Sequence, residues 1–292
     1  MKHYTMKDFN KEFKSEKSCL QAVFDNRYGK NYCCPRCGVK GHFYPIESRK
    51  RFDCQCGYGV YPLANTIFHK SETPLTLWFF AIFLFANSRN GVAAKELERQ
   101  LGVTYKTAWR IAKQIRTLFR QTDKPLKGTI ETDETYVGGK HKGKRGLGAE
   151  GKTVVFGMIE RKGNAMGKVV PNVKMATLQP LINSSAEKNS TIMTDELRSY
   201  SRVKVNGYNH ETVKHGVGEY VRGNVHTNGI EGFWSQLKRS ISGTHHAVSP
   251  KYLQSYVDEF VYRYNRRLVP LFPLMFQEVA KRSESANEIV SL

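Results

Sequence analysis

The chain has 292 residues, of which 40% are hydrophobic and 12% aromatic, enough for a packed catalytic domain with one or two small modules. Its formal net charge of +20 opposes compaction unless a polyanion binds, so nucleic acid is the first candidate partner and an anionic membrane surface the second. The longest apolar run, LTLWFFAIFLFA at 75–86, is shorter than the roughly 20 residues of a membrane-spanning helix. The N-terminus MKHYTMKDFN lacks the apolar stretch of a signal peptide, so we expect an intracellular protein.

The cysteines all lie in the first fifth of the chain, where an intracellular protein uses them as thiols or metal ligands more often than as disulfides. Four of them form the pairs C-P-R-C-G and C-Q-C-G, and the about 16 residues between the pairs are close to zinc-ribbon spacing. We predict a zinc-ribbon region over residues 1–70, with structural zinc held by Cys34, Cys37, Cys54 and Cys56. Buried or redox-active thiols are the alternative. The C-x-C spacing of the second pair, and Cys33 beside Cys34, leave the zinc occupancy open.

Residues 71–122 have helical periodicity and are predicted to form a helix-turn-helix region. A buried helix at 75–86 follows Thr73-Pro74, and a helix with Leu97 and Leu101 inward ends at Gly102. Thr104 is a suitable N-cap for a second helix, with Ala108, Ile111, Ala112 and Ile115 inward. Its outward residues are basic, as in a helix that contacts DNA: Lys106, Arg110, Lys113 and Arg116. A generic helical hairpin is the alternative.

From about residue 123 the periodicity changes to that of an α/β domain. Strands are predicted at 129–137, 152–160 and 168–175, then a helix near Leu178, strands at 191–194 and near 210–214, the helix of HTNGIEGFWSQLKR, and a terminal helix at 251–268. Three strands, a helix, two strands and a helix is the order of a ribonuclease-H-like mixed sheet whose first three strands are antiparallel. We therefore predict a ribonuclease-H-like catalytic domain over residues 123–292.

Three acidic residues occupy related places in this layout. Asp133 lies in the middle of the first strand, Asp195 ends the fourth, and Glu231 lies on the helix whose core stripe includes Phe233 and Trp234. Neighbouring first and fourth strands bring the aspartates together, and a helix packed across them adds Glu231. Such oxygen-rich sites suit Mg²⁺ or Mn²⁺, and two ions about 3.5–4 Å apart clamp a phosphodiester in line. Taken singly, each acid is explained as well by an exposed strand, a helix cap or a surface pair with Lys238.

Several stretches together resemble the bacterial DDE transposases of the insertion-sequence 1595 family. They are CPRCG…CQCG, NTIFHKSETPL…LW, GVAAKELERQLGVTYKTAWR, TDETYVGGKHKGKRG, TDELRSY and HTNGIEGFWSQLKRSISGTHHAVSPKYLQSYVDEFVYRYNRR. The resemblance extends from about Cys34 to Arg267. It implies a transposase that binds the ends of an insertion sequence in double-stranded DNA, cuts strands there and joins the freed 3′-hydroxyl to target DNA. The expected location is the bacterial cytoplasm, at the nucleoid.

The family's pattern of two aspartates, a third polar ligand and a basic residue maps onto Asp133, Asp195, Glu231 and Lys238. In this interpretation Asp133 bridges two Mg²⁺ or Mn²⁺ ions, Asp195 and Glu231 each hold one, and Lys238 contacts a phosphate near the cut. Asn228 is an auxiliary ligand or an alternative third position. His226 contacts DNA or is structural, and close approach of DNA is our explanation for Gly229 and Gly232 in the helix.

Further DNA contacts are expected from a glycine-spaced basic loop and from the helix that carries Lys238. The predicted contacts are Lys140, Lys142, Lys144 and Arg145 in the loop, and Arg239 on the helix. Two ends must be joined, so a homodimer is expected in the active complex. A catalytically retired DNA-binding regulator is the main alternative function, and a nuclease for RNA–DNA hybrids is a third.

Overall fold

The structure, a computed structural model, describes residues 4–119, 121, 124–138 and 151–280. The chain divides into two compact units. One contains residues 1–118 together with 268–292, and the other contains residues 119–267. The basic loop predicted to bind DNA, with Lys140, Lys142, Lys144 and Arg145, lies outside the described residues.

The first unit begins with two helices that pack beside a small antiparallel sheet. They are α1 (Met6–Glu12) and α2 (Glu16–Tyr28), followed by β1 (Phe43–Ile46), β2 (Arg51–Cys54) and β3 (Gly59–Val60) in the order β1-β2-β3. Thr5 and Ser15 form capping boxes that satisfy the first N–H groups of the two helices. The rings of Phe24 on α2 and Phe52 on β2 stack with centroids 4.1 Å apart, which joins the sheet to the helices.

Three further helices of this unit form the predicted helical region: α3 (Leu75–Asn87), α4 (Ala94–Leu101) and α5 (Tyr105–Arg116). The Glu16 carboxylate accepts hydrogen bonds from the N–H groups of Leu75 and Thr76, at 2.9 and 2.8 Å, and so caps the apolar helix α3. The predicted turn is confirmed, because Gly102 adopts a left-handed φ of 63° and the Thr104 hydroxyl accepts from Thr107 N–H.

The outward placement of Arg116 was wrong. Arg116 is buried, donates to the carbonyl of Val92 at 3.1 Å and lies 5.3 Å from the centre of the Phe85 ring. Arg116 falls on the side of α5 that faces α3, so its long side chain fills space within the helical core while its charge is met by a carbonyl and an aromatic face. Lys106 and Lys113 are exposed, as predicted.

The second unit contains a mixed sheet built from β4 (Thr129–Gly138), β5 (Lys152–Glu160), β6 (Ala165–Val170), β7 (Thr191–Thr194) and β8 (Asn209–Thr212). The spatial order is β6-β5-β4-β7-β8. β4 pairs antiparallel with β5 and parallel with β7, and β7 pairs parallel with β8. The predicted order of strands and the antiparallel pairing of the first three are thus confirmed. The element order also includes helix α6 (Met175–Ser185), which lies between β6 and β7 in the chain.

The two faces of this sheet are covered by different helices. Phe156 of β5 belongs to one core cluster with Leu178 and Ile182 of α6. Its neighbour Val155 belongs to a second cluster, with residues of α7 (Asn228–Ser240) and α8 (Pro250–Asn265). Because successive strand residues point to opposite faces, α6 covers one side and α7 and α8 the other. Gly157 permits this packing, since a Cβ there would come within 2.4 Å of the Trp234 ring on α7.

The last helix, α9 (Leu271–Ala280), belongs to the first unit. Phe272 and Phe276 of α9 join a cluster of aromatic rings with Phe9, Phe13 and Phe79. Helix α9 therefore packs with the helices of the first unit, and the predicted boundaries at residues 70 and 122 stay a prediction. Among the described residues, every helix is too short or too polar to cross a bilayer.

Candidate metal centres and active site

The four cysteines predicted to bind zinc lie together at the end of the small sheet. Their sulfur atoms are all within 4.8 Å of one another. The Sγ atoms of Cys34 and Cys56 are 3.6 Å apart, as are those of Cys37 and Cys54. A zinc–sulfur distance of about 2.3 Å gives a tetrahedron with edges of about 3.8 Å, so the cluster fits structural zinc. The C-x-C pair therefore presents both of its sulfurs to the cluster.

Cys33 lies outside this cluster. Its side chain is exposed, and its thiol donates to the carbonyl of Gly38 at 3.2 Å. The next residue, Cys34, is buried and belongs to the cluster. The structure thus resolves which of the two adjacent cysteines faces the other three.

The sheet of the second unit brings Asp133 and Asp195 together, as predicted. Parallel pairing of β4 with β7 aligns Glu131 with Met193, so Asp133 and Asp195 lie two residues further along neighbouring strands. Their carboxylate oxygens lie within 4.8 Å of each other and of a third carboxylate, that of Glu134. An all-oxygen cluster of this kind fits a hard divalent cation.

Glu134 is the functional candidate that the sequence analysis missed. It pairs with Phe156 on β5, whereas Asp133 pairs with Gly157, so the two acids leave β4 on opposite faces. Glu134 is drawn back toward Asp195 by the buried Tyr200, whose hydroxyl donates to Glu134 Oε2 at 2.7 Å. The sequence contains one residue that indicates the role of Glu134, which is its hydrogen-bond donor Tyr200, the only tyrosine in TDELRSY. The spacing of the residues does not show that the Tyr200 hydroxyl reaches β4.

A cavity of about 540 Å³ opens beside the acidic cluster. Its walls include Asp133, Glu134, Glu231 and Lys238, together with the Trp234 ring. Glu231 is exposed, and its Oε1 accepts from the Thr227 hydroxyl at 3.0 Å. Glu231 therefore faces the same space as Asp133 without belonging to the group of three close carboxylates. Asn228 begins α7 and is exposed, and it is absent from the described residues that line this cavity.

Two protein-family models match this chain, one in each unit. The ISXO2-like transposase domain of the IS1595 family matches residues 125–265, and the transposase zinc-ribbon domain matches residues 14–58. An uncharacterized transposase-like protein of Haemophilus influenzae is 31% identical over 97 residues, which cover 33% of this chain and 77% of that protein. The chain belongs to the IS1595 family of transposases.

A longer relative covers both units of the transposase. It is an uncharacterized protein in transposable element ISH50 of Halobacterium salinarum, 29% identical over 278 residues, which cover 87% of this chain and 92% of that protein. A chain from the solved complex of the simian T-cell lymphotropic virus intasome with PP2A regulatory subunit B56 gamma aligns with 16% identity. That alignment covers 58% of the transposase and 61% of the other chain, with a TM-score of 0.28, which is too low to compare the folds.

The acidic cluster of the transposase is electrostatically unfavourable without a cation. Burial raises the pKa of Asp133 to about 7, and the nearby charge of Glu134 contributes in the same direction. Burial also raises the pKa values of Asp195 and Glu134. Carboxyl groups that are buried together resist ionisation until a positive charge sits among them.

The raised pKa of Asp133 predicts a pH-dependent loss of stability in the metal-free transposase. The ordinary Asp pKa is 3.8, so the folded state holds this proton more tightly than the unfolded chain, and stability falls as pH rises from about 4 through about 7. Asp133→Asn removes this loss. In EDTA, the variant should gain up to about 3 kcal/mol of unfolding free energy over the wild type between about pH 5 and about pH 8. Urea denaturation measures this difference, and a pH-independent difference contradicts the assignment.

Helix α7 is held beside the acids by Glu131, two residues before Asp133 on the same face of β4. The buried Glu131 carboxylate accepts from Ile230 N–H at 3.0 Å and from Arg161 Nε at 2.8 Å. Arg161 also donates to the carbonyls of Asn224 and His226, which fixes the segment that enters α7. Since β4 carries both this anchor and Asp133, the position of Glu231 and Lys238 is tied to that of Asp133.

The same contact explains Gly229, for which we had expected close approach of DNA. A Cβ at Gly229 would lie 2.7 Å from the Glu131 Oε2 atom, whereas one at Gly232 would meet no heavy atom within 4 Å. Gly229→Ala should therefore destabilise the transposase by about 1–3 kcal/mol through overpacking. Gly232→Ala, on the same helix, should stabilise it by up to about 1 kcal/mol. Thermal denaturation of the two variants tests this, and equal effects would remove the Glu131 contact as the cause.

Other predicted DNA contacts of the transposase differ in their surroundings. Arg239 is exposed on α7, as Lys106 and Lys113 are on α5. Arg110 is partly buried instead, because its guanidinium donates to the hydroxyls of Ser71 and Thr73 at 3.2 Å each. His226 Nδ1 lies 3.4 Å from Glu131 Oε1, which favours its structural interpretation. His215, which the sequence analysis did not select, brings its Nε2 to within 3.9 Å of Glu231 Oε1.

Proposed function

We propose that this transposase cuts DNA strands at the ends of its element and transfers them to target DNA, using a carboxylate site for Mg²⁺ or Mn²⁺. The observation that carries the proposal is the group of Asp133, Glu134 and Asp195 oxygens within 4.8 Å, beside a cavity shared with Glu231 and Lys238. The sheet order β6-β5-β4-β7-β8, with β7 and β8 parallel to β4, supports a ribonuclease-H-like architecture. Double-stranded DNA is the substrate that matches the net charge of +20.

The donor set fits a divalent ion of the Mg²⁺ or Mn²⁺ type. It consists of carboxylate oxygens, which these hard cations prefer, and the raised pKa values of Asp133, Glu134 and Asp195 reflect a cluster that needs positive charge. When bound, such ions activate water and stabilise the charge that develops on a phosphodiester during in-line attack. The two predicted ions are part of the proposal.

The protein supplies orientation to these acids. The Leu197 N–H donates to Asp195 Oδ1 at 2.9 Å, and the Tyr200 hydroxyl holds Glu134, so each acid keeps one oxygen in a fixed direction. Asp133 comes from the central strand β4, as Glu134 does, and its carboxylate lies within 4.8 Å of both. Lys238, on α7, places a cation at the cavity wall, where it can contact a phosphate next to the scissile bond.

Two residues compete for the third acidic position of the site. Glu231 is the position that the family pattern assigns, and Glu134 is the one that lies with the two aspartates in this structure. We propose that both serve, with Glu134 holding an ion together with Asp195, and with Glu231, already at the cavity wall, turning toward Asp133 to hold a second ion when DNA is present. Asn228 was predicted as an auxiliary ligand or an alternative third position, and the residues that line the cavity support neither role.

The function is tested by nicking of supercoiled plasmid and of DNA flanking the transposase gene, with Mg²⁺, Mn²⁺ or EDTA. We expect cleavage only with a divalent ion, and Glu134→Gln and Glu231→Gln should each lower the rate by at least about 10-fold. DNA binding without cleavage under every condition would instead support the retired regulator. Preference for RNA–DNA hybrids over duplex DNA would support the hybrid nuclease. Because two ends must be joined, we propose a homodimer as the active form.

A further inference from the structure

A second cavity, of about 290 Å³, lies in the first unit between the small sheet and the segment that follows it. Its polar wall is formed by Arg49, Lys50, Tyr61, His69, Lys70 and Ser71, over the apolar side chains of Leu63 and Phe68. Among the described residues, no acidic side chain lines it. The cavity is therefore cationic, and the zinc ribbon and the sequence NTIFHKS at 65–71 each supply part of its wall.

The backbone places these cations in unusual conformations. Lys50 and Lys70 both adopt the left-handed region, with φ of 48° and 53°, and so does Asn65, with φ of 58°. A left-handed lysine is unfavourable and persists only where the surroundings impose it, which is a common property of binding sites. The buried Thr66 hydroxyl holds the turn that contains Asn65, since it donates to the Leu63 carbonyl at 2.7 Å and accepts from Phe68 N–H.

The imidazole of His69 is oriented as a hydrogen-bond donor. Its Nδ1 accepts from the Asn65 N–H at 3.1 Å, so the neutral ring must carry its proton on Nε2. His69, Lys70 and Arg49 are exposed. The wall of the cavity thus presents hydrogen-bond donors and positive charge together, as recognition of a phosphate requires.

Ser71 joins this cavity to the helix-turn-helix. Its carbonyl accepts from Lys50 Nζ at 3.3 Å, and its hydroxyl accepts from Trp78 Nε1 at 2.9 Å and from Arg110 at 3.2 Å. Lys50 belongs to the ribbon, Trp78 to α3 and Arg110 to α5. One residue of NTIFHKS therefore connects the zinc ribbon, the apolar helix and the second helix of the helix-turn-helix.

We propose that this cavity is a phosphodiester-binding site that holds the DNA backbone at the junction of the zinc ribbon and the helix-turn-helix. The proposal rests on the proposed function for its ligand, duplex DNA. Backbone phosphate is the DNA group that matches a wall of cations and N–H donors, and it carries no sequence information, so the site fixes the position of the protein on the duplex. Arg110 of α5 then has a positioning role, since its hydrogen bond to Ser71 fixes the wall of the cavity against that helix.

The test compares Arg49→Gln/Lys70→Gln with Lys14→Gln/Lys17→Gln, a control that removes one exposed charge from the turn before α2 and one from α2 itself. Affinity for a fluorescent duplex of about 30 base pairs is measured by anisotropy over a series of salt concentrations. The cavity variant should lower affinity on the order of 10- to 100-fold at low salt and reduce the slope of log K against log salt by about 1–2, while the control changes neither. Equal slopes for the two variants overturn the proposal.

The zinc content and thermal melting of each variant are measured first. If the double variant loses zinc, Lys70→Gln alone decides the question, since Lys70 is exposed on a turn beyond the sheet. This result is independent of catalysis. A cavity variant with a reduced salt slope supports the site even if the wild type does not cut DNA, and an unchanged slope removes the site even if it does.

Discussion

Asp133→Asn should abolish strand cleavage by the transposase while leaving its affinity for duplex DNA within about two-fold of the wild type. Asparagine keeps the size of the side chain but has no negative charge, and its NH₂ group, a hydrogen-bond donor, replaces one of the two carboxylate oxygens. Because changes to residues that only support a metal ligand cost about 10–100-fold, loss of a central ligand should lower the cleavage rate by at least about 100-fold. The measurement is single-turnover nicking of DNA flanking the transposase gene in Mg²⁺ and in Mn²⁺.

Asp258→Asn is the matched control for this change. Asp258 is another carboxyl of the second unit whose pKa burial raises, and its Oδ1 accepts from the side-chain amides of Gln121 and Gln254 at 2.6 and 2.8 Å. Asparagine can keep both hydrogen bonds, so cleavage should survive. Wild-type nicking by Asp133→Asn would refute the carboxylate site. Equal loss in both variants would show that any buried acid of this unit is needed for folding, and the Asp133 result would then say nothing about catalysis.

Cys34→Ser should remove zinc from the transposase, whereas Cys33→Ser should keep it. The two residues are adjacent, but Cys34 faces Cys37, Cys54 and Cys56, while the Cys33 thiol is exposed and bonded to Gly38. Structural zinc contributes about 10–16 kcal/mol in isolated zinc-finger peptides at neutral pH, so its loss should unfold the small sheet. Zinc per chain, measured by atomic emission, should fall from about one to near zero in Cys34→Ser.

Circular dichroism and limited proteolysis should report the structural effect of the lost zinc. In Cys34→Ser, or in the wild type treated with a strong chelator, cleavage by protease should concentrate in the ribbon and its Phe24–Phe52 contact should be lost. Zinc retained by Cys34→Ser and lost by Cys33→Ser would reverse the assignment of the two residues. Zinc retained by both would point to a three-cysteine site or to replacement of one thiol by the other.

Local pattern was sufficient for the elements that carry the site. The alternation of β4, the apolar stripe of α7 and the Gly102–Thr104 turn each follow from residues close in sequence, so the positions of Asp133, Asp195 and Glu231 on strands and helix were predictable. Glu134 was not, because strand alternation places it on the face opposite Asp133, and only the long-range hydrogen bond from Tyr200 returns it to the cluster.

The remaining differences also depend on contacts between distant segments. Arg116 repeats the spacing of exposed bases on α5, but α3 and the loop before α4 enclose it. Gly229 is required by a carboxylate about one hundred residues earlier in the chain, which no helical pattern shows. The Cα of Arg110 lies on the exposed stripe of α5, but its guanidinium donates to the hydroxyl of Ser71. Side chains long enough to leave their own face are thus the ones that sequence periodicity misplaces.

Helix α9, at the end of the described chain, belongs to the first unit, and this affects how the protein can be divided into fragments. A fragment that stops near residue 118 contains the ribbon and helices α4 and α5, yet it lacks Phe272 and Phe276, which complete the aromatic cluster around Phe13 and Phe79. Such a fragment would expose an apolar surface to water and invite aggregation. A fragment made for DNA-binding studies should therefore join residues 4–118 to 268–280 through a short flexible linker.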